Sequence, residues 1–257
     1  MRIQKALLLL AVVFVTSTVF AQEIPSGIIL PVRLNSTLSS QKTKPGQPIS
    51  ARVAQDVPLA DGMKIRAGTR LTGHVVNVQP GSQGNPPRIS FVFDQVRPSK
   101  QVLPIKTDLR ALASFTEVES AQLPLRSMGE GDSWDARTTS QVGGDVVYWG
   151  GGPVVGAMGI VGRPVTGTDS DVLGMVNANA EGHCRGEIDG HRGPQALWVF
   201  SSDACGVYGL DDVTISHAGR TEPVGLIELS SKSEKVKVPS GSGMLLRVIG
   251  DPQLQSH

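Results

Sequence analysis

Cys184 and Cys205 are the only cysteines in the chain, and they stand among other side chains able to do chemistry. His183 and His191 flank the first, with Glu187, Asp189 and Asp203 nearby. Three chemistries are open to such a set. The cysteines can pair as a disulfide, or they can join the histidines as zinc ligands, since thiolate and imidazole are what zinc takes. The carboxylates Glu187 and Asp189 can act as an acid–base pair on a glycosidic bond. Spacing decides against zinc, because no two cysteines lie close together as zinc motifs require. A lone pair in a chain addressed for export reads as a disulfide. The short loop it closes gives about 3 kcal/mol of stabilisation by chain-entropy arguments. Trp198 lies between the cysteines, but an immunoglobulin-type bridge spans a much longer interval, so that reading fails.

Other candidates are weaker. Ser242 sits in Gly241-Ser242-Gly243, which is not the five-residue pattern of a nucleophile elbow. Ser201, Asp203 and His217 have the residue types of a triad without any pattern to support one. Gly150-Gly151-Gly152-Pro153 follows a strand-like run. A phosphate loop needs a helix after its glycines, and Pro153-Val154-Val155-Gly156 is a poor helix start. Aromatic residues are only 4% of the chain, too few for a wide sugar-stacking platform. Tyr148 and Trp149, with Val154 and Val155 across the glycines, form the candidate contact surface. No catalytic residue, metal ligand or cofactor site is assigned.

The N-terminus specifies the compartment. Arg2 and Lys5 precede an apolar stretch from Ala6 to Phe20, and Val19 and Ala21 occupy the small-residue positions of a cleavage site. This predicts a signal peptide, residues 1–21, cut after Ala21, and a periplasmic or secreted protein. Loss of Arg2 and Lys5 leaves the formal +1 charge close to balance. No basic cluster stands out along the chain, so nucleic acid is not an expected partner. No later segment has the length and apolarity of a membrane-spanning helix.

The elements that position these residues read as strands. The chain has 30 Gly and 17 Pro, a composition of many turns between short strands. Period-two alternation, the mark of strands with one wet face, places Leu30, Val32 and Leu34 on one face of a strand. The same holds for Ile49, Ala51 and Val53, for Ile89, Phe91 and Phe93, and for Leu103, Ile105 and Leu109. Pro80 to Pro87 predicts an exposed hairpin loop. Ala111 to Glu119 is the best segment for a short helix. Later strands are expected at 142–149, 172–177, 196–201, 212–217, 224–229, 236–238 and 244–249.

A short pattern recurs three times: Ile24-Pro25-Ser26-Gly27, Ile65-Arg66-Ala67-Gly68 and Val238-Pro239-Ser240-Gly241, each leading into a strand. A glycine there supplies a positive φ or a close backbone approach at the strand's entry. The first and last copies are then expected in one sheet. The prediction is an all-β fold, a small barrel or sandwich closed by its N- and C-terminal strands. Residues 22–121 plus 224–250 make the barrel, 122–223 an inserted Gly-rich, disulfide-bearing β subdomain, and 251–257 a disordered tail.

Ile24-Pro25-x-Gly27-x-x-Leu30-Pro31-Val32-x-Leu34, then Gly46, Ala51-x-Val53, Asp56-Val57 and Ile65-x-Ala67-Gly68-Thr69-x-Leu71-x-Gly73 together resemble the barrel domain of the conjugal-transfer TrbI family. The resemblance covers about residues 24–75 and implies a small β-barrel at the cell envelope. Two features depart from that family. A cleavable signal replaces its cytoplasmic segment, membrane anchor and proline-rich linker, and no pair of amphipathic helices for a pore is present. The chain from the linker at residue 122 onward, including Gly186-Glu187 through Cys205-Gly206-Val207-Tyr208-Gly209, resembles an exported bacterial β-rich family with no attached activity. The expected role is contact with envelope proteins or a cell-wall or extracellular glycan. The alternatives are a secreted hydrolase acting on polysaccharide or peptide, or a carbohydrate-binding module.

Overall fold

The computed structural model describes residues 24–59, 62–98, 101–122, 137–140, 142, 146–149, 154–156, 159–163, 175–177, 194–200, 204–210, 212–216 and 225–249. The alternating runs are strands: β1 (Ile29–Leu34), β2 (Leu38–Ser39), β3 (Pro48–Val53), β4 (Val57–Pro58), β5 (Lys64–Ile65), β6 (Arg70–Gln79), β7 (Arg88–Arg97), β8 (Leu103–Pro104) and β9 (Thr107–Ala113). One helix follows, α1 (Phe115–Gln122). Then come β10 (Arg137–Ser140), β11 (Val146–Trp149), β12 (Val154–Gly156), β13 (Gly159–Arg163), β14 (Met175–Asn177) and β15 (Pro194–Ala196). The last are β16 (Gly206–Tyr208), β17 (Val213–Ser216), β18 (Ile227–Ser231), β19 (Lys237–Val238) and β20 (Gly243–Val248).

The fold is all-β, as expected. The principal sheet runs β16-β9-β20-β1-β3-β6-β7-β18-β17, with β8 beside β7. Its neighbours are antiparallel except β16 with β9. The two ends of this path, β16 and β17, are consecutive in the chain, so the sheet curls into a nearly closed barrel. The N-terminal strand β1 pairs with the C-terminal strand β20 from Ile29↔Arg247 to Arg33↔Gly243.

The recurring glycines explain that closure. Gly27, Gly68 and Gly241 have φ of 86°, 82° and 89°, a region open to glycine without steric cost. Each N–H donates to a neighbouring strand: Gly27 to Val248 O at 2.9 Å, Gly68 to Val53 O at 2.7 Å, Gly241 to Leu34 O at 2.7 Å. The first and last copies thus clamp each other's strands reciprocally.

Inside the barrel lies one apolar cluster to which nearly every strand of the principal sheet contributes, including Leu30, Val32, Ile49, Leu71, Phe91, Phe93, Leu229 and Leu246. Phe91 and Phe93 meet edge to face at 5.9 Å, the arrangement the ring quadrupoles favour. A second cluster covers the outside of β1, β9 and β20. Ile29, Ala111, Ala113 and Leu245 pack there against Val118 and Ala121 of α1, and against Val142 and Leu197–Phe200. Every residue of β9 and of β20 is therefore buried, because each strand has apolar matter on both faces.

The Pro80–Pro87 segment does join β6 to β7, and all of it but Pro87 is exposed. The predicted helix at Ala111–Glu119 is corrected: Ala111–Ala113 belong to β9, and the helix begins at Phe115. Ser114 sets that start, its hydroxyl accepting from Glu117 N at 3.2 Å in the manner of an N-cap. The strand is read past its alternation because of a bulge. The β9–β20 register shifts between Leu245 and Leu246, leaving Arg110 extra, so Leu109 and Leu112 both face the interior despite their opposite parity.

Two strands from the interval 122–223 join the principal sheet. β16 pairs with β9, and β17 pairs with β18 from Val213↔Ser231 to Ser216↔Glu228. The barrel therefore takes up residues that the sequence division assigned to the inserted subdomain. From the same interval, β12, β13, β14 and β15 form a separate four-stranded sheet, and β10 pairs with β11.

Candidate functional site

Several predicted sites fall where little is described. Cys184, His183, Glu187, Asp189, His191, Ser201, Asp203 and His217 lie outside the described residues, as do residues 1–21 and 251–257. Tyr148 and Trp149 end β11 opposite Thr138 and Arg137. Val154 and Val155 lie in β12, paired with Gly162 and Ile160 of β13. The run after the glycines is thus a strand, as argued against a phosphate loop, while the side chains of this candidate contact surface are outside the description. Among the described residues, no group of three His, Cys, Asp or Glu could hold a metal ion.

Trp198, between the two cysteines in sequence, is a core residue at 5% exposure. It has φ of 50°, a strained value for a bulky side chain, and its N–H donates to Gln55 Oε1 at 2.6 Å. Val142 N donates to Val199 O at 2.8 Å, so the turn around Trp198 plugs the outer apolar layer.

Buried polar groups are structural. Arg247 and Asp108 form an ion pair at 3.1 Å with side chains 8% and 5% exposed. Arg110 Nε donates to Ala204 O at 2.9 Å. A carboxylate so enclosed and paired has no access to a substrate. A shallow groove of about 740 Å³ lies between the β6–β7 hairpin and the turn after β18. Ser231 and Ser233 hydroxyls meet there at 2.9 Å, with no histidine in the lining to activate either.

The principal chemical feature lies on the outer face of four neighbouring strands. Arg33 is opposite Arg52, Arg52 opposite Arg70, and Arg70 opposite Arg97. Paired residues of antiparallel strands project to the same side, so these four arginines form a row across β1, β3, β6 and β7. Their neighbours Leu34, Val53, Leu71 and Val96 are buried in the barrel, which directs the arginines outward. Arg52, Arg70 and Arg97 are exposed.

A second row runs beside the first. Ser50 is opposite Thr72 and Thr72 opposite Gln95, while Asn35 Nδ2 donates to Ser50 Oγ at 3.3 Å. One line of guanidinium groups is thus flanked by a line of hydroxyls and amides. Arg33 pairs with Glu119 and lies 5.8 Å from the Phe115 ring centroid. Among the described residues, Arg52, Arg70 and Arg97 have no carboxylate partner; Arg52 Nη1 donates to Gly68 O at 3.3 Å and Arg97 Nη2 to Gln95 Oε1 at 3.4 Å.

Like charges directly opposite each other in a sheet oppose folding. Arg52 and Arg70 each have an arginine on either side, but one neighbour of Arg52 is Arg33, which is paired with Glu119, so Arg70 carries the most repulsion. Arg70→Gln is expected to raise stability by about 0.2–1 kcal/mol, read as a higher urea midpoint with an unchanged slope.

Asp56, between β3 and β4, has cationic partners of its own outside the row. Its carboxylate takes Lys64 Nζ at 2.5 Å and the Ala67 N–H at 2.8 Å. Burial pushes its pKa up, but the Lys64 and Ala67 hydrogen bonds and the charges of Lys64 and Arg66 outweigh that and hold it below the ordinary 3.8. A depressed carboxylate pKa stabilises the fold above the unfolded value and loses that contribution as pH falls through the folded one. The stability gap between wild type and Asp56→Asn is therefore expected to be full near neutral pH and to close below pH 3.8, as denaturation midpoints across that range would record.

The row was not legible as a basic cluster because its members are far apart in sequence. Only strand register brings them together. Comparison of the chain with known families and with curated proteins gives no match. The fold and surface therefore define the class: a nearly closed all-β barrel with a basic outer face.

Proposed function

We propose that this is an exported contact protein of the cell envelope or extracellular space, which works by binding and carries no catalytic centre in its barrel. The observation that carries the reading is the outward arginine row. Four like charges held side by side at a cost to stability make sense where an anionic partner neutralises them. The signal-peptide pattern of residues 1–21 and the resemblance of residues 24–75 to the TrbI barrel both favour an envelope address. A Cys184–Cys205 disulfide fits the same compartment.

The test is in-cell crosslinking of the tagged full chain with a reagent placed by substitution at Asn35, beside the row, and again at Asn77, on the barrel's far rim. Crosslinks to a defined set of envelope components from position 35 and not from 77 are expected. A chain recovered free from both positions contradicts the reading.

A further inference from the structure

The paired rows on β1, β3, β6 and β7 specify the chemistry of a ligand. We propose that they bind a linear glycan bearing a carboxylate on each sugar, an inference that rests on the reading of the protein as an exported contact protein.

Spacing is the first argument. Neighbouring strands lie about 4.8 Å apart, so the row presents four cations over about 14 Å in a line across the strands. A polymer lying along it meets a positive charge at each strand. A chain of pyranose units with one carboxylate apiece repeats on a comparable scale, so successive carboxylates can face successive guanidinium groups. Arginine suits that partner because its planar fork binds a carboxylate through two parallel hydrogen bonds.

The second row supplies the rest of the recognition. Sugars carry hydroxyls between their charges, and Asn35, Ser50, Thr72 and Gln95 offer both donors and acceptors along the same line. Nucleic acid fits less well. Single strands are gripped through aromatic platforms for the bases, and among the described residues the exposed ring beside this row is Phe115, already engaged by Arg33. A short acidic peptide would leave the hydroxyl row without regular partners.

The cations are not equivalent. Arg33 shares its charge with Glu119, whereas Arg52 and Arg70 stand centrally. They are the residues on which affinity should depend most. Both are exposed and pair with each other across the strands, so their replacement by glutamine leaves the core untouched.

The experiment is calorimetric titration of the full-length protein with oligogalacturonate, with neutral dextran and with oligothymidylate of matched charge. Oligogalacturonate is expected to bind, with affinity falling as salt is raised. The variant carrying both Arg52→Gln and Arg70→Gln is expected to bind about tenfold or more weakly with an undiminished urea midpoint, which separates lost binding from lost folding. Thr72→Val, which removes a hydroxyl from the second row, should weaken the glycan and leave any binding of oligothymidylate unchanged. Equal binding of oligothymidylate and oligogalacturonate would overturn the proposal, as would glycan binding indifferent to the double substitution or no binding at low salt. In any of those cases, crosslinks to envelope proteins from position 35 would leave the contact-protein reading standing; their absence would remove both.

Discussion

Arg247→Leu is expected to cost the fold about 3–5 kcal/mol. Arg247 and Asp108 face each other across β20 and β9, on the outer side of those strands, where the second apolar layer covers them. Their side chains are 8% and 5% exposed and meet at 3.1 Å. Removing the guanidinium leaves a carboxylate that water cannot reach. Replacing both partners behaves differently, because neither member of the pair is then left as a buried charge. Asp108→Leu combined with Arg247→Leu is expected to be far less destabilised than either single variant. A double-mutant cycle of urea midpoints measures this. Additive single effects would show that the pair is not coupled as its geometry indicates.

Gly73→Ala is the second large effect. A β-carbon at Gly73 would stand 1.8 Å from Val92 O and 2.8 Å from Phe93 Cα. Both atoms are backbone of β7 and cannot turn aside as a side chain would. The approach arises where the β6–β7 register shifts between Thr72 and Gly73, leaving Asp94 as the extra residue. A bulge of this kind bends a strand sharply, and such a bend suits a barrel wall. The expected loss is about 3 kcal/mol or more, with the β6–β7 pairing itself disturbed. Gly68 is the contrast, since a β-carbon there meets nothing within 4 Å and only its φ of +82° opposes alanine. Gly68→Ala should cost roughly 1–2 kcal/mol. Equal midpoints for the two variants would contradict the close approach at Gly73.

These two glycines also show what the sequence could reveal. Gly27, Gly68 and Gly241 were legible because each sits in a recurring local pattern, and the positive φ they share is a local property. Strand alternation in β1, β3 and the first part of β7 was legible for the same reason. The interior of β9 was not. Its bulge at Arg110 inverts the parity, and its burial on both faces comes from distant residues such as Trp198 and Phe200. The apolar run Ala111-Leu112-Ala113 reads equally well as helix, and only the pairing with β20 decides. Ser114 then places the helix start four residues later, at Phe115. The arginine row lies deepest in the tertiary structure. Arg33, Arg52, Arg70 and Arg97 have unremarkable neighbours in sequence, and their alignment is a consequence of three successive strand registers.

A contact protein working outside the cytoplasm must first be exported, and fractionation reads that out. Tagged full-length protein would be recovered from separated cytoplasmic, envelope and medium fractions, then subjected to N-terminal sequencing and thiol titration after unfolding without reductant. Recovery from envelope or medium is expected, with Gln22 as the first residue and no titratable thiol until reductant is added. Cytoplasmic protein beginning at Met1, with Cys184 and Cys205 both reactive, would contradict export.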